Sequence, residues 1–491
     1  MATNPQFNFE SELSEPVRKS FFIDGQWVNP SGVVKLDLIS PVTEELMIQM
    51  PEASEEDVDE AVAAARRAFD QGPWPRLSPG ERGVYLARIA DELRKRLPLL
   101  ARLWTAQVGA PIGLSTYLSP QSIDLFDYYA KLVTNYRFEE ERSYPGGVAR
   151  IVFEPAGVVG IITPWNAPII LLSYKIAAAL AAGCTLVAKP SPETPFEAQI
   201  MAECIEAAGL PPGVVNIVHG GREIGDYLVN RPQLDKISFT GSTAAGKVIA
   251  EACSKRLARV NLELGGKSAA IILDDASIPS VLNSLVPFSM PFSGQVCFSL
   301  TRVLVSKKNR DSFLDAYVSA VEAFKIGDPF DAATQLGPLS IRRQLERVQR
   351  YVAAGKAEGA KLVTGGGLVP GFDRGYFFQP TVFCDVDNDM TIAREEIFGP
   401  VLSVIAYEDE EEAVNIANAS SYGLSGAVYT ADPEKGYDIA RRIRTGNVSV
   451  NGLCVNVEIP FGGFKQSGIG REGGIEGLEA YLECKSVYML G

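Results

Sequence analysis

The side chain best suited to act as a nucleophile is Cys297, in the segment FSGQVCFSLTR. An ordinary thiol has a pKa of about 8.5, so only about 3% of it is thiolate at neutral pH, and a catalytic cysteine needs a base or oriented dipoles nearby. A cysteine in such apolar company is more often a core residue. Gly294 and Gln295, however, indicate a tight turn that presents the thiol rather than a helix that hides it.

Two polar side chains follow strand-like segments, where parallel sheets place their functional residues. Glu263 ends an apolar strand before Gly265 and Gly266. It is either a general base for water or a salt-bridged glutamate at the rim of the sheet. Asn166, in TPWNAP, follows the strand VVGIIT. Its amide is a candidate oxyanion donor, a contact typically worth about 2.7–4 kcal/mol, although an asparagine between prolines is usually turn chemistry.

A glycine-rich turn and a lysine are candidates for holding a phosphorylated cofactor. GSTAAG (241–246) follows the strand KISFT and opens a helix, so its backbone N–H groups and the Ser242 hydroxyl are placed to bind a pyrophosphate. The turn lacks the G-x-G-x-x-G pattern and is a weak signal by itself. Lys189, at the end of another strand, is either a ligand of a ribose hydroxyl or a solvated lysine.

These side chains must be positioned by a chain of 491 residues, which predicts two or three domains. A net charge of −14 disfavours nucleic acid and anionic membrane surfaces as partners. The N-terminus shows no signal peptide. The apolar stretch 156–188 is interrupted by Pro164, Asn166 and Lys175, so we expect a buried strand, helix and strand rather than a membrane span.

The cysteines and the single histidine exclude several classes of site. Seven cysteines without C-x-x-C spacing disfavour a disulfide framework and a zinc site, and favour a reducing, cytoplasmic compartment. His219 is the only imidazole, so Ser-His-Asp or Cys-His catalysis would have to use that one ring. We predict no metal.

Hydrophobic periodicity predicts an α/β fold, because short apolar strands alternate with helices as in a parallel sheet covered on both faces. One series has strands at 158–163, 185–189, 214–218, 236–240 and 258–264, and a second has strands at 269–273, 302–306, 401–407 and 445–451. Other predicted elements are a two-stranded arm around 24–32, a helix capped by Ser54, helices at 79–97 and 99–108, and extended strands at 144–153 and 478–490 that could pair with another subunit.

Seven motifs, in order, resemble the aldehyde dehydrogenase superfamily from about residue 20 to the C-terminus: TPWNAP, KPSPETP, FTGSTAAGK, LELGGK, GQVC, EEIFGPV and PFGGFKQSGIGRE. The resemblance implies a Rossmann-like parallel-sheet cofactor domain (1–130 and 150–262) and a second α/β catalytic domain (263–465). It also implies a small β oligomerisation arm (131–149 and 466–491) and a homodimer or homotetramer.

The resemblance also assigns roles to individual residues. Cys297 attacks the aldehyde, Asn166 and the Cys297 backbone N–H hold the oxyanion, and hydride leaves for the nicotinamide. Glu263 deprotonates the water that hydrolyses the thioester, and Glu472 relays protons. The implied cofactor contacts are Trp165, Lys189, Ser191, Gly241, Ser242, Gly246, Leu264, Glu396 and Phe398.

Two departures from the family pattern bear on cofactor and substrate. Many NAD-using members have Lys-Pro-x-Glu at the adenosine ribose, whereas here Pro192 takes the fourth place and Glu193 follows. We expect NAD, with NADP possible. Ala167 replaces a residue that is often aromatic, which predicts a wider entry tunnel. The expected tunnel residues are uncharged and favour a hydrophobic aldehyde (aromatic, terpenoid or medium-chain): Ala167, Tyr174, Val296, Phe298, Val455 and Phe461.

The sequence disfavours three other interpretations. Relatives that pass the acyl group to coenzyme A commonly lack the glutamate of LELGG, so Glu263 favours hydrolysis. Glyceraldehyde-phosphate-type enzymes use a Cys–His pair, which His219 is poorly placed to provide. A non-catalytic structural or binding member of the fold would be free to lose Cys297 or Glu263, and both are present.

Overall fold

The computed structural model describes residues 7–490. Its largest sheet has eight strands within these residues, of which the five central ones are parallel. All five were predicted, and the α/β class is confirmed. In spatial order the strands are Gly468–Ile469, Arg259–Glu263, Lys236–Thr240, Val158–Ile162, Thr185–Lys189, Val215–Ile217, Phe21–Ile23 and Gln26–Val28.

Both faces of this sheet are buried, because successive side chains of a strand point to opposite sides. Val159 and Ile161 enter one hydrophobic core, whereas Val158 and Ile162 enter another. The covering helices are amphipathic or wholly apolar, and all but Ile112–Leu118 and Gln121–Asn135 were predicted. They are Glu55–Asp70, Pro79–Val108, Ile112–Leu118, Gln121–Asn135, Pro168–Ala182, Phe196–Ala208, Arg222–Val229 and Thr243–Ser254.

A second sheet is built in the same way from the later series of strands. Ile271 and Leu304 face one core, and Ile272 and Val303 face the other. Its strands, in order, are Lys361–Thr364, Thr381–Cys384, Val401–Tyr407, Arg302–Ser306, Ala269–Ile272, Gly426–Tyr429 and Ser449–Val450, all parallel except the first pair. Its helices are Ile278–Ser289, Arg310–Glu322, Arg342–Ala357, Thr391–Arg394, Glu410–Asn418 and Pro433–Ala440.

A small antiparallel sheet stands apart from both series, as predicted. Its strands are Leu482–Met489, Gly147–Pro155 and Glu139–Tyr144, with Leu482–Met489 at one edge. The strand predicted at 144–153 is in fact the turn and second arm of a hairpin. Pro145 and Gly146 make the turn, since proline cannot continue a ladder and Gly146 has φ 120°. The strand predicted from 478 begins at Leu482, after the helix Gly474–Glu479.

One further prediction was wrong. The helices expected at 79–97 and 99–108 form one helix, Pro79–Val108, which continues through Pro98. The missing N–H and ring clash of an interior proline cost about 3 kcal/mol. Leu93, Leu100 and Leu103 are fully buried on either side of it and offset that cost. The predicted two-stranded arm is present as the hairpin of Phe21–Ile23 and Gln26–Val28, and it extends the large sheet, where Phe22 pairs with Ile217.

The remaining elements are short. The predicted cap at Ser54 is present as a capping box with Asp57. No helix within residues 7–490 is long and apolar enough to cross a membrane. The short elements are the helices Phe9–Glu12 and Glu15–Lys19, the strand pair Lys35–Ile39 and Leu46–Pro51, and the 3-10 turns Trp74–Arg76, Pro291–Gly294 and Lys465–Ser467.

Candidate active site

Cys297 lies in a turn that follows the 3-10 segment Pro291–Gly294, as predicted, and not inside a helix. The preceding backbone is unusual: Phe292, Ser293 and Gly294 all have positive φ, at 48°, 54° and 73°. A Cβ at Gly294 would overlap the carbonyl of Gly399, so only glycine fits there. The chain therefore reaches Cys297 through a turn that the second sheet holds tightly.

Gln295 fixes this turn and joins it to the large sheet. Its side chain is fully buried, donates to the Phe292 carbonyl (3.1 Å) and accepts from the Ser340 N–H (2.9 Å). Its own carbonyl accepts a hydrogen bond from Asn166 Nδ2 at 3.0 Å. The sequence predicts Gln295 only as part of the turn. A fully buried amide that makes these contacts is a positioning residue.

Asn166 is buried just beyond the strand Val158–Ile162, where it was predicted. Its bond to Gln295 uses one of the two amide hydrogens. The second hydrogen remains available for an oxyanion. The structure therefore ties the predicted oxyanion donor to the turn that carries the predicted nucleophile.

Glu263 ends the strand Arg259–Glu263 and is almost wholly buried. Neither carboxylate oxygen has a hydrogen-bond partner among residues 7–490. Burial, and then the negative charge of Glu472, raise the pKa of the Glu263 carboxyl well above its ordinary value. This contradicts the interpretation of Glu263 as a salt-bridged rim residue. An unpaired carboxylate of raised pKa is a stronger base than an exposed glutamate.

The Cys297 thiol is also affected by burial and by nearby carboxylates. Burial, and then the charges of Glu396 and Glu263, raise the pKa of the thiol above its ordinary value. The resting sulfur is therefore protonated at neutral pH. It needs a base before it can attack a carbonyl.

Glu472 lies in a buried polar chain that sequence analysis found only in part. Its carboxylate is paired with Lys175, inside the otherwise apolar helix Pro168–Ala182. Lys175 Nζ also donates to Ser238 Oγ at 3.3 Å, and the Tyr481 hydroxyl reaches the same oxygen at 2.9 Å. A lone lysine in an apolar helix was the available signal for this chain, because a buried charge requires a partner.

Lys189 is buried, which excludes the solvated alternative. Its Nζ donates to the Gly220 carbonyl (2.7 Å) and the Pro190 carbonyl (3.1 Å). Burial lowers its pKa to about 8. The Ser191 hydroxyl is directed at Glu193. Glu193 raises the pKa of Lys189 in turn, so this acid lies close to the predicted ribose site.

The glycine-rich turn opens the helix Thr243–Ser254, and Ser242 is its N-cap. A Cβ at Gly241 would overlap the Phe239 ring, and one at Gly246 would come within 2.6 Å of Leu264. Leu264 itself is anchored by its N–H to the Ser467 carbonyl at 2.9 Å. Glycine at these two positions lets the turn pack against Phe239 and Leu264, and the N-terminus of the helix that follows favours the binding of a pyrophosphate.

Glu396 and Phe398 complete this side of the site. Glu396 accepts the Gly266 N–H at 3.1 Å, and burial raises its pKa to about 7. Phe398, with φ 60°, packs edge-on against Trp165 with ring centroids 5.5 Å apart. These residues, the glycine cradle and Lys189 fit a dinucleotide.

The predicted tunnel residues are half-buried, apart from Tyr174, which is buried. Phe298 and Phe461 form an edge-on pair 6.1 Å apart. Phe461 is joined through its backbone to Glu472, by two hydrogen bonds of 2.7 and 2.8 Å. The Tyr174 hydroxyl is buried near the charges of Glu472 and Glu263. Ala167, Val296 and Val455 lie in the adjoining loop segments.

His219 takes no part in the site. Its ring packs on Phe21 at 5.9 Å, and neither ring nitrogen has a partner among residues 7–490. Burial lowers its pKa to about 3, so the imidazole is neutral. A Cys–His pair is therefore not formed.

Comparison with known proteins gives consistent results. Residues 27–487 match the aldehyde dehydrogenase family. The chain is 48% identical to a geranial dehydrogenase of Castellaniella defragrans, over 96% of this chain and 98% of that protein. It is 44% identical to a 3-succinoylsemialdehyde-pyridine dehydrogenase of Pseudomonas sp, with the same coverage. A Mycobacterium tuberculosis aldehyde dehydrogenase solved with NAD+ superposes with a TM-score of 0.95 at 44% identity, over 96% of this chain and 99% of that one.

Proposed function

The chain belongs to the aldehyde dehydrogenase family and oxidises an aldehyde with NAD, and we propose that Cys297, Asn166 and Glu263 carry out this reaction. The observation that supports these roles most directly is the bond from Asn166 Nδ2 to the Gln295 carbonyl. It fixes an oxyanion donor to the turn that carries the thiol. The unpaired Glu263 carboxylate acts electrostatically on that same thiol.

The first half of the reaction takes place on the sulfur. The thiol proton passes to solvent water, and the sulfur of Cys297 forms a bond to the carbonyl carbon. The electron pair of the C=O bond moves to oxygen, which the second N–H of Asn166 and the backbone N–H of Cys297 stabilise. When bound, NAD would supply the acceptor for a hydride. Loss of hydride from the thiohemiacetal leaves a thioester on Cys297.

The second half needs a base that is free of ion pairs. Glu263 takes a proton from water, whose oxygen bonds to the thioester carbon, and the C–S bond then breaks to release the acid and restore the sulfur. Glu472, with Lys175 behind it, is placed to accept the proton from Glu263. Lys189, Ser242 and Glu396 would hold the cofactor. Ser191, Gly241, Gly246 and Leu264 would shape its cradle, with Trp165 and Phe398 beside its ring.

The substrate we propose is a hydrophobic aldehyde of aromatic, terpenoid or medium-chain type. The predicted tunnel residues are uncharged, and the relative at 48% identity is named a geranial dehydrogenase. Steady-state kcat/KM should favour geranial, benzaldehyde and octanal over succinic semialdehyde and betaine aldehyde. Higher efficiency with either charged aldehyde would remove the proposal.

Glu193 bears on the choice between NAD and NADP. We propose that this acid, beside Lys189, disfavours the ribose phosphate of NADP without abolishing its use. Wild-type enzyme should give a higher kcat/KM with NAD, and Glu193→Gln should narrow the difference. An unchanged ratio would place the determinant elsewhere.

We further propose that the large sheet binds the cofactor, the second sheet carries the nucleophile, and the small sheet pairs subunits in a homodimer or homotetramer. Supporting the last point, the edge strand Leu482–Met489 exposes Val487, Tyr488 and Met489. A cytoplasmic location is proposed because the reaction needs Cys297 as a free thiol.

A further inference from the structure

A concave apolar surface, which we call the side groove, lies between three helices: Ile112–Leu118, Ile278–Ser289 and Arg310–Glu322. Its volume is about 650 Å³. Pockets that bind small molecules typically measure roughly 300–1,000 Å³. The groove therefore has the size of a ligand site.

The side groove is separate from the reaction site. Among residues 7–490, the lining of the side groove includes no residue assigned above to catalysis, to cofactor binding or to the entry tunnel. Its floor is formed by Met290, Pro291 and Phe292, at the start of the turn that leads to Cys297. The two sites thus share a segment of chain but no lining side chain.

The lining of the side groove selects for an uncharged ligand. No described residue that lines it is charged, although 22% of the chain is charged. Leu114, Val286 and Ala320 provide one apolar wall from each helix. Tyr117 and Asn283 are exposed and supply polar groups at the rim. A carboxylate would find no cation here and would lose its hydration at a high free-energy cost. A hydrocarbon with one hydroxyl or carbonyl group carries no charge, so its burial costs much less.

Phe292 connects the groove to the reaction site. It and the next residue adopt left-handed conformations, which cost of the order of 1–3 kcal/mol each and concentrate at switches and active sites. The Phe292 ring packs edge-on against Trp104 at 6.3 Å and Trp165 at 6.4 Å. Trp165 in turn contacts Phe398. A molecule in the groove would therefore press on a ring that is in contact with the cofactor side.

We propose that the side groove is a second binding site for an uncharged, mostly hydrocarbon molecule, such as a medium-chain or terpenoid alcohol or aldehyde, and that its occupation alters turnover through Phe292. The lining of the groove and the contacts of its floor support this site. Its existence does not depend on which aldehyde is oxidised at Cys297.

The location is tested by soaking crystals of the full chain with bromooctanol and measuring anomalous scattering from bromine. We expect bromine between the three helices in the wild type and in Ser319→Phe, an exposed position on the same helix. Ala320→Phe should fill the groove and remove that signal. Bromine found only in the entry tunnel to Cys297 would overturn the proposal. Bromooctanol that occupies the groove in the crystal but does not bind there in solution (binding at crystal concentration only) would also overturn it.

The link to turnover is tested kinetically at saturating aldehyde and NAD, where octanol is displaced from the reaction site. Added octanol should change the kcat of the wild type and of Ser319→Phe. It should leave the kcat of Ala320→Phe unchanged. An unchanged wild-type kcat would contradict the coupling.

A charge reversal gives an independent test that does not rely on filling space. Val286→Lys places a cation in the wall, so octanol should bind about tenfold more weakly, a loss of about 1.4 kcal/mol, while octanoate should gain affinity. Equal affinities in wild type and variant would overturn the ligand class. A change in oligomeric state of Ala320→Phe with octanol binding unaltered would make the groove a contact between copies, and would also contradict the proposal.

Discussion

At the scale of single residues, burial decides which protons can move. Cys297 and Glu263 both have raised pKa values because their charged forms lose water. Glu263 differs from the other buried acids of the site in having no hydrogen-bond partner among the described residues, whereas Glu472 is paired with Lys175 and Glu396 with the Gly266 N–H. An unpaired acid can take up and release a proton without breaking a hydrogen bond or an ion pair to another residue.

The role of Glu263 predicts a split between the first and later turnovers. Glu263→Gln should retain a burst of NADH, with steady-state turnover lower by a factor on the order of 10²–10⁴, because an amide cannot deprotonate water. Stopped-flow absorbance measures both phases. Cys297→Ala is the matched control: it should bind NAD and give neither phase. A normal steady state in Glu263→Gln would exclude this residue as the base.

Glu197, a buried carboxyl outside the site, affects the stability of the fold rather than the reaction. Glu197 is fully buried, and burial raises its pKa to about 8, although Gln107 donates to it at 2.7 Å. Because the folded pKa lies above the unfolded value, its contribution to stability is present below about pH 4.5 and is lost as the pH rises through about 8.

Glu197→Gln should remove this dependence. Between about pH 5 and pH 8 the wild type should lose up to about 1.4 kcal/mol of unfolding free energy per pH unit relative to the variant. Denaturant unfolding at several pH values measures the difference. Glu223→Gln, at an exposed helical position, should track the wild type. Parallel curves for Glu197→Gln and the wild type would contradict the prediction.

At the scale of elements, the turn before Cys297 shows how backbone geometry positions a reactive atom. Its positive φ values are held by Gln295 and by the close approach of Gly294 to Gly399. The turn therefore depends on contacts with Ser340 and Gly399, which are distant from it in sequence. Displacing it would move the thiol away from Asn166.

Gly294→Ala should lower kcat/KM by at least about tenfold, because the new Cβ must push the turn away from the Gly399 carbonyl. Gly359→Ala is the control, since Gly359 also has positive φ but a Cβ there meets no atom within 4 Å. Both variants should lose about 1–2 kcal/mol of stability from the left-handed conformation, measured by thermal unfolding. Equal activity in the two variants would show that the overlap does not matter.

At the scale of the whole molecule, the free edge of the small sheet is the surface that the fold leaves incomplete. Among residues 7–490, Leu482–Met489 pairs on one side only, with Gly147–Pro155. Its side chains Val487, Tyr488 and Met489 are apolar and exposed. An edge of this kind is satisfied by a second copy.

Val487→Asp should shift the oligomer toward smaller species, because it places like charges against each other at the proposed contact. Light scattering coupled to size exclusion measures the mass. The matched control is Val363→Asp: Val363 is 38% exposed, against 39% for Val487, and lies on the edge strand of the second sheet. Equal masses for the two variants would place the subunit contact elsewhere.

Local pattern was sufficient for much of this architecture. The predicted strands Lys236–Thr240, Arg302–Ser306 and Val401–Tyr407 match the structure residue for residue. Periodicity records which side chains must be buried, and strand ends in a parallel sheet locate functional residues. The positions of Cys297, Glu263 and Asn166 at turns and strand ends could therefore be read from the sequence.

Tertiary structure alone decided what depends on contacts between distant segments. The helix continues through Pro98 because leucines on both sides are buried, which no local rule records. The bond from Asn166 to Gln295 and the chain from Lys175 through Ser238 to Tyr481 join residues 129, 63 and 243 positions apart. Burial and partnership, which set proton affinities, arise only when such segments pack together. The sequence thus determined which groups are available for chemistry, and packing determined which of them are paired.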